Sequence, residues 1–231
     1  QQPIHARSCG YGNRERRHID PPPILQLYEV ADDGDRKKTI ENPYISHFIV
    51  HCELYDAKTE QSKSLLISPS SHSFKDMDRQ ESKIQILIGT LSINGQELLD
   101  LQQEKGVFFI FADLSIRIEG EFRLQFRLTD LSSFDPFTSS TIIKDTVYSN
   151  PFQVYSPKTF PGIKESTELS RYFALQRMKI PVRITSKETK KGGKGEEIEN
   201  QQQQQQHSTI PYKRIEISSM IHHSAPSSPF S

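Results

Sequence analysis

The first chemistry that the sequence offers is anion binding by a group of arginines. Arg14, Arg16 and Arg17 stand close together, and a guanidinium presents a planar set of donors that suits phosphate oxygens or the edge of guanine. Gly10 and Gly12 allow positive φ, so the backbone there can approach a partner closely. The simpler alternative is a solvated, partly frayed terminus. The pattern therefore indicates a cationic loop with nucleic acid as its candidate partner.

A rigid element follows this loop. Pro21, Pro22 and Pro23 fix φ at three consecutive positions, directly before the apolar run that begins at Ile24. The prolines should therefore hold the basic loop at a set angle to a strand that starts at Ile24.

Alternating hydrophobicity predicts that the middle of the chain is β-structure. The clearest strands are 48–55 and 122–129, where apolar and polar residues alternate with a period of two. The continuous apolar run 107–111 is typical of a strand that is covered on both faces. Further strands are predicted at 24–30, 65–67, 84–91 and 152–155. Seven or so short strands, separated by turn-forming residues, favour a mainly β fold built as an antiparallel sandwich.

One helix is predicted after this β-structure. Pro161 and Gly162 form a turn, Ser166 or Thr167 can cap the helix, and the helix should run to about Met178. Its apolar stripe consists of Leu169, Phe173 and Gln176, with Tyr172 beside them. The helix either closes the sandwich or contacts DNA, and the sequence leaves both alternatives open.

Charge is unevenly distributed along a chain whose formal net charge is zero. Residues 1–20 carry a net +2, residues 21–157 a net −7, and residues 158–194 a net +7. Two basic flanks thus surround an acidic middle. Basic patches of this kind attract polyanions even when the whole protein is neutral.

Catalytic and metal-binding patterns are missing from the sequence. It contains no Gly-x-Ser-x-Gly motif, no phosphate-binding loop and no His-Glu-x-x-His motif. His47 and His51 would lie ~13 Å apart on one strand face, at ~3.3 Å per residue, which is too far for one ion. Glu119 and Glu121, on either side of a glycine, are interpreted as solvated. We therefore predict no enzyme activity, cofactor, metal or small-molecule substrate.

Composition narrows the remaining classes of protein. No apolar run approaches the ~20 residues that a membrane-spanning helix needs, so no membrane partner is predicted. Two cysteines, Cys9 and Cys52, do not make a disulfide framework and suit a reducing compartment. A carbohydrate-binding sandwich is disfavoured because the chain has no tryptophan to stack on sugars.

Three separated blocks resemble the fungal velvet family of transcriptional regulators. They are Gln1 to Ile24, with its Ala-Arg-Ser-Cys-Gly-Tyr-Gly and Ile-Asp-Pro-Pro-Pro-Ile motifs, 106–120 (GVFFIFADLSIRIEG), and 152–170 together with Lys179 to Arg183. The resemblance covers residues 1–184 and implies an immunoglobulin-like sandwich related to the Rel-homology fold, with strand-connecting loops that face DNA. A looser likeness to the Rel recognition loop adds Arg7 and Cys9 to the residues expected to contact DNA. The candidate DNA-binding residues are Arg7, Cys9, Arg14, Arg16, Arg17, His18, Lys158 and Lys164.

Beyond the velvet-like domain, 1–184, we predict a disordered, low-complexity tail at 185–231 that contains a six-glutamine tract. Four lysines of this tail, at 187, 190, 191 and 194, are a candidate nuclear-import signal, with solvated lysines as the alternative. Isoleucines around Tyr212 leave room for a short segment that folds on a partner, within Ile210 to Ile217.

The resemblance implies a sequence-specific, DNA-binding transcriptional regulator of fungal development, sporulation and secondary metabolism. Its expected partners are double-stranded DNA and a second velvet-family protein, in a homodimer or heterodimer, and its expected location is the nucleus, with shuttling to the cytoplasm left open. Four apolar residues lie in a stretch with a weak strand pattern and need another surface to shield them from solvent, namely Phe134, Phe137, Ile142 and Ile143. The alternative is a protein-interaction module that pairs with a velvet-type subunit without itself reading DNA.

Overall fold

A computed structural model describes residues 1–11, 16–30, 36–37, 44–67, 83–135, 140–183 and 214–219. Backbone alone is described at 36–37, 66–67, 83, 133 and 214–219. Arg14, Phe137, the four lysines between Lys187 and Lys194 and the glutamine tract lie outside the described residues.

The described residues form fifteen strands, one α-helix and two short 3₁₀ turns. The strands are β1 (His5–Arg7), β2 (Ile24–Val30), β3 (Arg36–Lys37), β4 (Phe48–Asp56), β5 (Leu65–Ile67), β6 (Lys83–Gln85), β7 (Leu87–Ile88), β8 (Ser92–Asn94), β9 (Gln96–Leu99), β10 (Lys105–Ile110), β11 (Ser115–Ile116), β12 (Gly120–Asp130), β13 (Ile143–Tyr148), β14 (Phe152–Tyr155) and β15 (Arg214–Ser219). The helix is α1 (Glu168–Leu175), and the 3₁₀ turns are Ile45–His47 and Leu131–Ser133.

Two sheets account for most of these strands. The first has the order β1-β14-β12-β4-β8. β13 also pairs with β12, beyond the residues of β12 that pair with β14. The second has the order β15-β2-β10-β9, with β3 paired to β2. Two small ladders, β11-β7 and β5-β6, complete the fold. The predicted mainly β architecture with one short helix is confirmed, while the immunoglobulin-like connectivity stays a prediction.

The main core lies between the two sheets. Alternate residues of β4 and β12 are buried on one face, for example Val50 and Leu124, which confirms the period-two prediction. They pack in one cluster with Leu27 and Phe109 of the second sheet. The intervening residue, Phe108, is buried on the opposite face, against α1, so β10 is covered on both faces as its continuous apolar run predicts.

The helix closes the outer face of the second sheet. Thr167 is the N-cap, and its Oγ1 accepts a hydrogen bond from the Ser170 N–H (3.2 Å). Phe173 is fully buried and its ring meets that of Phe108 edge-on at 4.8 Å. The helix ends at Leu175 rather than near Met178, because Arg177 adopts a positive φ of 67°.

The predicted strand at 84–91 is divided into two. Ile86 bends the chain between β6 and β7, which pair with different partners, β5 and β11. Ile86 and Leu87 are both buried, and two consecutive buried residues break the alternation that one continuous strand would need. Gly89 then ends β7 with a φ of 126°.

One strand pairing departs from a wholly antiparallel sandwich. β1 and β14 run parallel, with Arg7 opposite Tyr155. These strands are about 145 residues apart in the sequence, so no hairpin dictates an antiparallel arrangement. The chain thus enters the basic loop beside the end of β14.

One segment of the predicted tail pairs with the second sheet. Arg214–Ser219 forms β15, which pairs antiparallel with β2 from Val30 to Leu25. The disorder predicted for the tail as a whole stays a prediction. The alternating isoleucines of this segment suit a strand, but its long-range partner is not visible in the local pattern.

Glu53 organises the solvent-facing side of β4. Its carboxylate accepts hydrogen bonds from the hydroxyls of Ser62 (2.6 Å) and Ser64 (2.9 Å), and Arg127 of β12 lies 2.8 Å away. Partial burial alone would raise the pKa of Glu53, but these three partners outweigh burial and hold the pKa below its usual value. The ionised form is therefore favoured in the folded protein.

None of the helices in the described part of the chain is long and apolar enough to cross a membrane.

Candidate nucleic-acid interface

The basic loop leaves the sandwich through three consecutive backbone hydrogen bonds. The N–H groups of Ser8, Cys9 and Gly10 donate to the carbonyls of Tyr155 (2.8 Å), Ile116 (3.0 Å) and Arg117 (3.0 Å). Gly10 has a φ of 62°, a left-handed conformation that a side chain disfavours. This end of the loop is therefore fixed to both β14 and the segment that follows β10.

The other end of the loop is fixed at a neighbouring point. The Ile19 N–H donates to the Leu114 carbonyl (2.8 Å), and Asp20 and His5 exchange two backbone hydrogen bonds (2.9 and 3.0 Å). Both ends of the loop thus rest on Leu114 to Arg117. The described residues between these two ends, Tyr11 and 16–18, therefore lie next to one place on the sandwich.

Asp20 joins the loop to the end of the domain. Its buried carboxylate lies 3.5 Å from the His5 ring and 3.8 Å from the Arg183 guanidinium, and it accepts a hydrogen bond from the Lys164 N–H (3.4 Å). Arg183 also donates its N–H to the hydroxyl of Ser166 (3.0 Å). The segments on both sides of α1 are thereby tied to the base of the basic loop.

Arg117 braces the loop from below. Its Nη1 donates to the Gly10 carbonyl (2.9 Å) and its Nε donates to the Gln85 carbonyl (3.0 Å). One guanidinium therefore links the loop to the β6–β7 segment. Because guanidinium donors are planar and rigid, the two hydrogen bonds also fix the direction in which the loop leaves the sheet.

The predicted contact residues on the projecting part of the loop are exposed. Arg16, Arg17 and His18 are all solvent-accessible, and Tyr11 beside them is half exposed. The guanidinium of Arg16 makes one long hydrogen bond, 3.4 Å, to the Asp113 carbonyl. The geometry leaves these cations within reach of a polyanion.

The predicted lysines lie at the same end of the sandwich. Lys158 is exposed in the turn that follows β14, directly after Tyr155, whose carbonyl holds Ser8. Phe160 ends this turn, and its ring packs 5.4 Å from that of His5. Lys164 is exposed, and its backbone N–H donates a hydrogen bond to the Asp20 carboxylate. The fold therefore brings together two basic segments that are about 140 residues apart in the sequence.

Arg7 and Cys9 are placed differently from the other candidates. Arg7 lies half-buried on β1, and Cys9 is half-buried at the start of the loop. Burial raises the pKa of the Cys9 thiol, and Arg117 and Arg16 offset this only in part, so the thiol is neutral at pH 7. These two residues are suited to positioning the loop or to close hydrogen bonding, not to long-range attraction of phosphate.

His18 is a neutral donor or acceptor at pH 7. Partial removal from solvent lowers the pKa of its imidazole, and the nearby Arg16 and Arg183 lower it further, against an opposing effect of Asp113. Permanent positive charge on the described part of the loop thus comes from Arg16 and Arg17.

Sequence reasoning missed the residues that hold the loop. Arg117 lies inside the 106–120 block and Asp20 directly before the three prolines, but neither was a candidate. An arginine in a mainly apolar block and an acid within a basic loop are the signals that could have pointed to them. Their role depends on contacts between distant segments, which local patterns do not contain.

The chain matches the velvet factor family over residues 1–83 and 68–187, which together include the loop, α1 and every strand of the two sheets except β15. The chain belongs to the velvet family. The block resemblance is thereby confirmed over the predicted span of the domain.

Named relatives are developmental regulators of fungi. The sexual development regulator umv3 of Mycosarcoma maydis is 33% identical over 188 residues, which cover 79% of this chain and 43% of that protein. The sexual development regulator velC of Gibberella moniliformis is 31% identical over 218 residues, covering 93% of this chain and 44% of that protein. The spore development regulator vosA of Beauveria bassiana is 34% identical over 179 residues, covering 74% and 59%. The chain thus spans about half the length of these relatives.

Proposed function

We propose that this velvet-family chain is a non-enzymatic regulator of fungal development, including sporulation and secondary metabolism, that binds specific DNA sequences in the nucleus. The single observation that carries the proposal is the loop of residues 8–19, which is fixed at both ends and presents exposed arginines. The names of the relatives, regulators of sexual and spore development, support the developmental role.

The arrangement of charge suits a DNA duplex. Arg16 and Arg17 project from one basic segment, and Lys158 and Lys164 from the other, at one end of the sandwich. Cations on rigidly positioned loops neutralise phosphates and release counterions, which gives affinity. In the proposal, one arginine of the loop also reads the edge of a guanine, which gives sequence preference.

Dimer formation belongs to the same proposal. Phe134, Ile142 and Ile143 are 50%, 65% and 49% exposed, and they lie next to the end of β12 at Asp130. The basic loop is next to the other end of β12, ~30 Å away at ~3.3 Å per residue. We assign these apolar residues to contact with a second velvet-family subunit, so that two basic ends read two half-sites.

DNA binding is tested with the full chain and a selection from random duplexes, followed by titrations at several salt concentrations. Removing Arg16 and Arg17 together should lower the slope of log K against log salt by about 2, since each phosphate contact contributes ~0.9. The matched control removes two charges from the opposite end, Lys105→Ala with Lys144→Ala, and should leave the slope unchanged. Equal slopes in all three proteins would exclude this loop from the interface.

The dimer assignment is tested by sedimentation of the full chain with and without DNA. Ile142→Asp with Ile143→Asp should shift the protein from dimer to monomer at micromolar concentration. Leu175→Asp changes an isolated exposed leucine on α1 and serves as the control. A wild-type chain that stays monomeric with DNA and with a velvet-family partner would contradict the assignment.

The exposed apolar residues also favour a second candidate function. In this alternative the chain is an interaction module that pairs with a velvet-type subunit and does not itself read DNA. The two functions differ in a simple assay, because binding to any duplex at low salt requires the basic end. Absence of duplex binding at low salt, together with intact pairing, would favour the second function.

A further inference from the structure

β2 is a buried strand, and the described part of the domain before residue 184 pairs with only one of its two edges. Leu25 and Leu27 pack in the core between the sheets, while Ile24 packs in the cluster beneath α1. β10 pairs with one edge of β2 from Ile24 to Leu27. Both faces and one edge are thus covered by the domain itself. The remaining edge has peptide groups that need hydrogen-bond partners.

β15 covers this outer edge. Glu29 and Val30 pair with both β3 and β15, so these two strands must lie on opposite edges of β2. The register runs over six consecutive pairs, from Arg214 opposite Val30 to Ser219 opposite Leu25. The outer edge of β2 is therefore built to accept an antiparallel strand of at least six residues.

The connection to β15 is long compared with ordinary loops. Thirty residues, 184–213, separate the last described residue of the domain from Arg214. Most connections in compact domains have about 4–6 residues, and those above roughly 12–15 are usually functional or linkers. Thirty residues can span up to ~100 Å. The connection therefore keeps β15 close to β2, but it is long enough that another strand could occupy the outer edge of β2 in place of β15.

The register of β15 on β2 indicates which pattern of side chains fits the outer edge of β2. Ile217 stands opposite Leu27, which is fully buried in the core, and Ile215 stands opposite Glu29. Residues that are paired across two strands belong to the same face of the sheet. Apolar β-branched residues at alternate positions, with polar residues between them, are thus the pattern that fits.

We propose that the outer edge of β2 is a strand-acceptor site for an extended segment of a partner protein, and that Arg214–Ser219 is its built-in competitor. Pairing of this kind takes affinity from main-chain hydrogen bonds and specificity from alternate side chains. The partner segment carries β-branched apolar residues two positions apart. It displaces β15 and pairs antiparallel with β2.

A further apolar surface lies beside β15. β15 lies beside β13 of the other sheet, at whose start Ile142 and Ile143 are exposed. Arg214 pairs with the last residue of β2 and Ile143 with Thr129, near the end of β12. A partner segment with apolar residues ahead of its paired region therefore reaches the same two isoleucines as the proposed second velvet-family subunit, and the two would compete for them.

The first test opens the edge in the full chain. Ile215→Asp with Ile217→Asp should release β15, and a fluorescein-labelled peptide of residues 212–220 then reports on the free edge by anisotropy. The peptide should bind this variant at least tenfold more tightly than wild type, because a tethered competitor acts at an effective concentration near millimolar. The control Ile210→Asp with Ile221→Asp makes the same change outside the strand and should bind like wild type. Equal peptide binding by all three proteins would overturn the proposal.

A second variant covers the case in which the aspartates unfold the domain. Gln201–Gln206 is replaced by a six-residue protease site, so that cleavage removes the tether and leaves the natural strand sequence intact. After cleavage the labelled peptide should replace β15 at a concentration at least tenfold lower than before it. A scrambled peptide with adjacent isoleucines should not bind. Release of the cleaved fragment without binding of the peptide would refute the acceptor site, whatever the outcome for DNA.

Discussion

Arg117 offers the sharpest distinction between holding the basic loop and touching DNA. Its two hydrogen bonds, to the carbonyls of Gly10 (2.9 Å) and Gln85 (3.0 Å), are lost in Arg117→Ala. Each is worth roughly 0.5–1.5 kcal/mol. Because the guanidinium is partly exposed and three backbone hydrogen bonds still hold residues 8–10, we take the lower half of the sum, about 1–2 kcal/mol.

That energy appears as weaker DNA binding, since the duplex must reorder a loosened loop. A cost of about 1–2 kcal/mol corresponds to a roughly 5–30-fold loss of affinity. The slope of log K against log salt should not change, because no phosphate contact is removed. Fluorescence anisotropy at four salt concentrations measures both quantities on the full chain.

Two results would refute this reasoning. A slope that falls by about 1 would mean that Arg117 contacts a phosphate directly. An affinity within twofold of wild type would mean that the backbone hydrogen bonds alone position the loop. Arg16→Ala with Arg17→Ala is the contrasting variant, because it should change the slope and leave the loop in place.

Three further predictions concern stability, each measured by urea unfolding. Glu53→Gln should cost about 1 kcal/mol at pH 7. Because the pKa of Glu53 is lowered in the folded protein, its stabilising effect is complete above the usual glutamate pKa of about 4.3 and is lost as the pH falls through the pKa in the folded state. The difference in unfolding free energy between this variant and wild type should therefore shrink at low pH. A difference that stays constant with pH would contradict this. Phe173→Ala should cost roughly 3–5 kcal/mol, whereas Leu175→Ala, at a position that is 82% exposed, should stay within about 0.5 kcal/mol; similar costs would mean that α1 does not pack as described. Gly89→Ala should be more destabilising than Gly10→Ala, because an added Cβ would lie 2.6 Å from a backbone oxygen at position 89 and meets open space at position 10; the reverse order would contradict the backbone geometry.

Strands with a strong local pattern could be predicted from the sequence. Residues of β4 and β12 alternate because one face of each is buried, and β10 is apolar throughout because both its faces are covered. β13 was missed because it is an exposed edge strand whose buried face is incomplete, so its residues do not alternate. Period-two reasoning thus detects burial, and it detects strands only where burial accompanies them.

Pairings between distant segments could not be predicted in the same way. The parallel pairing of β1 with β14 and the docking of β15 on β2 are decided by edges that only the folded sheets create. The same holds for the candidate interface. The arginines of the loop stand out in the sequence, whereas Asp20 and Arg117 acquire their role from partners that lie between 15 and 144 residues away.

The positions of the basic and apolar surfaces make their proposed roles separable. The basic loop lies at the Gly120 end of β12, and Ile142 and Ile143 lie near its Asp130 end. Loss of a phosphate contact changes the salt slope of binding at any protein concentration. Loss of dimerisation instead makes the apparent affinity depend on protein concentration, since assembly and binding are then linked by mass action. A variant that changes only one of these quantities therefore identifies which end of the sandwich it has altered.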